Sequence, residues 1–162
     1  KFIRKINKKI IVKTYLKKIN RENIHSIAKN YDYICDGTDN FKSRLLINDY
    51  CIKYKKILIS SAISKFDGHI FSFNFKKDGP CLRCFMPNIP SSEQNCETDG
   101  IMSTLAGIAG SIQANEVIKS ILNIGKPLRN EIMIFNSLDL SFRKVKLNKN
   151  SSCKNHLHVL DK

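Results

Sequence analysis

Two cysteine-bearing turns stand out by spacing. Cys81 and Cys84 form a C-x-x-C pair, and far downstream Cys153 is followed at the same interval by His156. Each pair can aim two donors at one point, and thiolate and imidazole together make a tetrahedral zinc site. His158 competes with His156 for the fourth place, but only His156 keeps the two-residue gap. Four protein ligands leave no open position, so a structural rather than a catalytic zinc is expected. Between the pairs lies Cys96, in a polar stretch ahead of a helical segment. A thiol there can be a nucleophile, because a helix N-terminus favours the thiolate, or it can be an incidental surface group. Asp39 follows a strand and precedes a helix, where open α/β sheets place their ligand crevices, and its carboxylate can hold Mg²⁺ on phosphates. Alternatively, Asp36, Thr38 and Asp39 are turn and cap residues. Arg44, one turn further on, is an arginine among many lysines and reads as a phosphate ligand or as a surface charge.

The elements that must position these residues are legible in the hydrophobic pattern. Ile10-Ile11-Val12 reads as a short strand, residues 24–29 as a helix, and residues 31–36 as a strand ending at Gly37. Thr38, Asp39 and Asn40 offer caps to a helix running to about Lys55. Residues 57–61 form an apolar strand, and residues 68–75 alternate with period two, predicting a buried face of His69, Phe71, Phe73 and Phe75. Residues 78–100 lack periodicity and read as a long loop tied at its base by Cys81 and Cys84. A helix is expected from Met102 to Asn123, with Gly107, Gly110, Ser111 and Ala114 as a small-residue stripe lying against a sheet. Strands at 132–135 and 142–147 then lead to Cys153. Cys35 and Cys51 read as core residues, and His25 and His69 as structural histidines. The alternation predicts an α/β fold with a mixed sheet.

At 162 residues, with 42% hydrophobic and 26% charged residues, the chain suits one globular domain. The net charge of +14 comes mostly from dispersed lysines accompanied by Ile and Asn, a pattern of compositional drift more than of a nucleic-acid patch. An acidic protein partner fits it, and nucleic acid is not the expected partner. No apolar run reaches the roughly 20 residues that span a bilayer, and the first residues lack a signal-peptide core. A cytoplasmic location with reduced thiols is therefore expected.

The set Asp36-Gly37-Thr38-Asp39-Asn40 with Arg44 and Asn48-Asp49, Gly79-Pro80-Cys81-Leu82-Arg83-Cys84, Asn95-Cys96 with Gly100, the run Gly107 to Glu116, and Phe142-Arg143 before Cys153 resembles the ThiF/MoeB/HesA family. These are bacterial relatives of ubiquitin-activating enzymes. The resemblance covers residues 1 to about 156 and implies a Rossmann-like mixed sheet flanked by helices, a structural zinc site and a long crossover loop. It implies an enzyme that uses ATP and Mg²⁺ to adenylate the C-terminal glycine of a ubiquitin-like sulfur carrier for thiamine or molybdopterin synthesis. Asp39 would hold the metal and phosphates, Asn40 would help bind the nucleotide, and Cys96 matches a loop cysteine proposed to bond to the carrier in some members. A homodimer is implied, and a sulfurtransferase or cysteine desulfurase could supply the sulfur. The family's glycine-rich nucleotide loop precedes the region matching Lys1, so the chain is expected to be an N-terminally truncated single domain (residues 1–162) holding part of an ATP site. His156 stands where the family has cysteine. Two other readings stay open: a tRNA threonylcarbamoyladenosine dehydratase-like enzyme, and a non-catalytic carrier-binding fragment.

Overall fold

The computed structural model describes residues 2–88 and 100–153. Five strands form one sheet in chain order: β1 (Tyr33–Asp36), β2 (Ile57–Ser64), β3 (Asp67–Asn74), β4 (Glu131–Asn136) and β5 (Ser141–Lys146). Only β1 and β2 are parallel; the remaining pairs are antiparallel. The parallel pair needs a crossover, supplied by helix α3 (Phe41–Lys53), whereas β2 to β3 and β4 to β5 are joined by tight turns. Short helices α1 (Phe2–Ile6) and α2 (Ile24–Ala28) precede the sheet, α4 (Leu82–Phe85) holds Cys84 with Cys81 at its N-cap, and the long helix α5 (Thr104–Leu122) returns across the sheet. Among the described residues, no helix is long and apolar enough to cross a membrane.

The sheet is covered on both faces. Leu58, Phe71, Phe73 and Ile132 pack with Leu45, Ile47, Tyr50 and Cys51 of α3 on one side. Ile57, Ile59, Ile70 and Phe135 pack with Leu105 and Ala109 of α5 on the other. Alternation along a strand therefore sends successive side chains into two cores, not into core and water. The expected burial of Phe71 and Phe73 holds, but His69 and Phe75 are only partly buried, and on the opposite face Ile70 and Ser72 are buried too, Ile70 against α5.

Three other expectations need correction. Ile10-Ile11-Val12 forms no strand, and Ile11 is exposed, because a three-residue apolar run gains nothing without a sheet edge to join. The small-residue stripe of α5 does not face the sheet. Leu105, Ala109, Gln113 and Glu116 do, which turns Gly107, Gly110, Ser111 and Ala114 outward, and a Cβ placed on Gly107 or Gly110 would meet nothing. Helical phase is decided by the larger apolar anchors and by the two buried polar residues that find partners, and the small residues follow. Cys35, expected in the core, is exposed on β1, while Cys51 is fully buried and its thiol is pushed up to about 12 by burial, with Asp36 adding to the shift.

Candidate functional site

The link between β1 and α3 is built around a buried carboxylate. Asp36 closes β1 and is 1% exposed. Its Oδ1 accepts from the Thr38 amide at 2.9 Å and from Thr38 Oγ1 at 2.7 Å, an Asx-type turn that redirects the chain after Gly37. Its Oδ2 accepts from Ser60 Oγ at 2.7 Å and pairs with Arg44 Nη1 at 3.3 Å. Arg44 also donates to Ser60 Oγ at 3.0 Å and to the Thr38 carbonyl. A buried charge pair is tolerable only when its remaining donors and acceptors are satisfied, and here the turn itself satisfies them. Asn40 then caps α3, its Oδ1 accepting from the Ser43 amide at 2.8 Å.

This arrangement leaves Asp39 outside the network and exposed, at the mouth of a crevice of about 520 Å³ lined by Thr38, Arg44, Ser64, His69, Gly110 and Gln113, among others. The crevice lies beyond the C-terminal ends of the parallel strands and beside the N-terminus of α3, the position at which open α/β sheets bind phosphate-bearing ligands. A hydrogen bond from Asn40 Nδ2 at 3.0 Å holds the Asp39 carboxyl below its ordinary pKa, helped by a backbone amide and by the charges of Arg44 and Lys18. Asp39 is thus ionised throughout the neutral range. Its far wall is set by α5: Gln113 Nε2 donates to the carbonyls of Asp36 at 2.9 Å and of Ile59 at 2.7 Å. The rim is pinned where Ile101 bridges to Lys65, with the Met102 amide on the Lys65 carbonyl at 3.0 Å.

The second cluster sits at the other end of α3. Cys81 Sγ lies 3.8 Å from Cys84 Sγ and 3.7 Å from Cys153 Sγ, and the three sulfurs are all within 4.8 Å of one another. Zinc–sulfur bonds of about 2.3 Å in a tetrahedron put sulfurs about 3.8 Å apart, so the donor set fits that ion. Burial pushes the Cys81 thiol up, and the neighbouring sulfurs of Cys84 and Cys153 add to the shift; a cation would reverse it. The turn is closed by the Cys84 amide on the Cys81 carbonyl at 3.0 Å.

Of the residues singled out in the sequence, Asp39, Asn40 and Arg44 are brought together at the crevice, and Cys81, Cys84 and Cys153 at the sulfur cluster. Arg44 is buried in the Asp36 network and forms part of the crevice wall. Cys96 and His156, with His158, lie outside the described residues. Sequence reasoning missed Asp36 as a hub, Ser60, Gln113 and the crevice position of His69. A signal was available for Gln113 and Glu116: both are polar at positions continuing the Leu105–Ala109 phase of α5.

Together the fold and the crevice define an α/β protein with an open crevice at its strand ends. The profile of the ThiF family matches residues 1–155, and the chain belongs to that family. It is 33% identical over 159 residues to the sulfur carrier protein adenylyltransferase of Thermus thermophilus, covering 94% of this chain and 59% of that protein. A probable molybdopterin-synthase adenylyltransferase of Pyropia yezoensis is 37% identical over 145 residues, covering 88% of this chain and 38% of that protein. The chain therefore spans between about two fifths and three fifths of the length of these relatives. The crystal structure of Escherichia coli MccB with AMPCPP and MccA shares the fold, with a TM-score of 0.76 at 16% identity, over 94% of this chain and 47% of that one.

Proposed function

We propose that this chain is the carrier-binding and metal-bearing part of an adenylyltransferase that activates the C-terminal glycine of a ubiquitin-like sulfur carrier. One observation carries the reading: an exposed, ionised Asp39 stands at the mouth of the strand-end crevice, next to the N-terminus of α3. The names of the relatives at 33% and 37% identity support the same chemistry. In the reaction, a carboxylate oxygen of the carrier attacks the α-phosphorus of ATP. The bond to the bridging oxygen breaks, and pyrophosphate leaves with the electron pair.

In that site Asp39 would hold Mg²⁺, which would neutralise charge on the phosphates. The helix N-terminus and the crevice-wall guanidinium of Arg44 favour the anionic ligand, and Asn40 keeps Asp39 ionised and oriented. Zinc is proposed for Cys81, Cys84 and Cys153, with His156 as the fourth ligand, in a structural role that ties the chain's end to α4. Cys96 is proposed as the thiol that attacks the carrier's acyl-adenylate, forming a thioester as AMP leaves with the electron pair and the thiol proton passes to solvent. A homodimer, a sulfur-donating sulfurtransferase or cysteine desulfurase, and a cytoplasmic setting complete the proposal.

The test is ATP–pyrophosphate exchange by the full-length protein, offered thiamine-type and molybdopterin-type carriers ending in Gly-Gly. Exchange with one of them, abolished by Asp39→Asn, is the expected result and also identifies the pathway. Exchange unaffected by Asp39→Asn would remove Asp39 from the site. Carrier binding without exchange would leave only a binding module. Metal analysis should find one zinc per chain.

A further inference from the structure

The C-x-x-C turn is too short to hold its own shape. Helix α4 has four residues, and helix nucleation in so short a segment is unfavourable in water. What holds it is a pair of consecutive residues on α3. Asn48 is 0% exposed, and its Oδ1 accepts from the Leu82 amide at 3.0 Å. Asp49 takes the Arg83 guanidinium in a two-point fork, Nε on Oδ1 at 3.0 Å and Nη2 on Oδ2 at 2.7 Å. Asn48 Nδ2 in turn donates to Asp49 Oδ1 at 3.1 Å. Both residues that separate the sulfur donors are therefore fastened to one face of a 13-residue helix whose other end carries the Asp39 crevice.

We propose that Asn48 and Asp49 are positioning residues for the cysteine centre: through Leu82 and Arg83 they set the separation of Cys81 Sγ and Cys84 Sγ at the edge length that zinc requires. The inference rests on the zinc reading above. A two-point carboxylate–guanidinium fork fixes direction as well as distance, which a lysine at position 83 would not do. The buried Asn48 amide supplies what the Leu82 amide would otherwise lack in a dry environment. Without these anchors the turn samples conformations in which the two sulfurs do not converge. The metal must then pay the cost of ordering them, and affinity falls.

The experiment is competition of the zinc-loaded full-length protein against a chromogenic chelator, together with the visible spectrum of its cobalt(II) form. Asp49→Ala, Asn48→Ala and Arg83→Lys are each expected to weaken zinc binding by about 10- to 100-fold, as loss of an outer partner does at other zinc sites. Asp49→Asn, which keeps one acceptor, should fall between wild type and Asp49→Ala. The cobalt ligand-field bands should shift or broaden in the same order. Ile70→Ala, a cavity on the opposite face of the sheet, serves as control: it should lower the melting temperature while leaving zinc affinity unchanged. The Arg83–Asp49 pair is partly exposed, so Arg83→Lys keeps the fold should Asn48→Ala lose it. Wild-type affinity in Arg83→Lys and Asp49→Ala, or equal weakening in Ile70→Ala, would overturn the proposal. A wild-type protein that takes up no zinc at all would sink the metal reading itself.

Discussion

Gln113 on α5 donates through Nε2 to the main-chain carbonyl of Asp36 at 2.9 Å, and the same nitrogen reaches the Ile59 carbonyl at 2.7 Å. One side chain thus satisfies the last carbonyl of β1 and a carbonyl of β2 close to where the two parallel strands stop pairing and the crevice begins. Replacing it by Leu leaves two buried acceptors without their donor. At about 1–3 kcal/mol for each unsatisfied group, the expected loss is about 2–6 kcal/mol. Urea unfolding of Gln113→Leu should show a lower midpoint with an unchanged slope; a loss under about 0.5 kcal/mol would mean that the carbonyls had found other donors.

Asp36 and Asp39 are three residues apart and should respond to the same substitution in opposite ways. Asp36→Asn removes the charge facing the buried Arg44, and breaking a buried pair costs about 3–5 kcal/mol. Asp39→Asn changes an exposed side chain, so stability should move by less than about 0.5 kcal/mol. Pyrophosphate exchange should nevertheless fall by about 100-fold or more. Thermal unfolding and exchange assays on the two variants, side by side, check the contrast; equal stability losses would contradict the buried-hub account of Asp36.

His69 lines the crevice half-buried, and its pKa lies below the ordinary 6.5 because burial disfavours the imidazolium, with Arg143 adding to the effect and Asp67 opposing it. The unfolded chain therefore binds the proton more readily than the folded one. Stability should be full above pH 6.5 and decline as pH falls below it, levelling off once the folded pKa is passed. In His69→Gln this part of the decline should vanish. Denaturation midpoints between pH 5 and 7.5 would show it, and identical slopes in both proteins would exclude His69 as the source.

Gly68 pairs with Phe135 across β3 and β4, and a Cβ built on it would stand 2.1 Å from the Phe135 ring. Aromatic rings use the space that this glycine leaves open. Gly68→Ala should destabilise by about 1–3 kcal/mol through overpacking. Phe135→Leu in the same chain should recover part of the loss, which a double-mutant cycle would detect as coupling; strictly additive effects would show that the contact is not the cause.

Sequence by itself determined all five strands β1 to β5, the helix between the parallel strands and the long α5, because each has enough apolar periodicity to declare its type. It also singled out the residues that the crevice and the sulfur cluster bring together. Asp39 and Asn40 stand between a strand and a helix, and Cys81 and Cys84 hold their spacing, in any fold that keeps those elements. Tertiary structure decided which face of each element is covered. Ile70 and Phe71 are both buried because α5 lies on one side of β3 and α3 on the other, and no local pattern records a second layer. The outward turn of Gly107 and Gly110 was settled in the same way, by anchors elsewhere on the helix. The polar links Asp36 to Ser60, Asn48 to Leu82 and Gln113 to Ile59 join residues 24, 34 and 54 positions apart. Such bonds are made because burial leaves a donor or acceptor no water to turn to, and that condition exists only once the chain has packed.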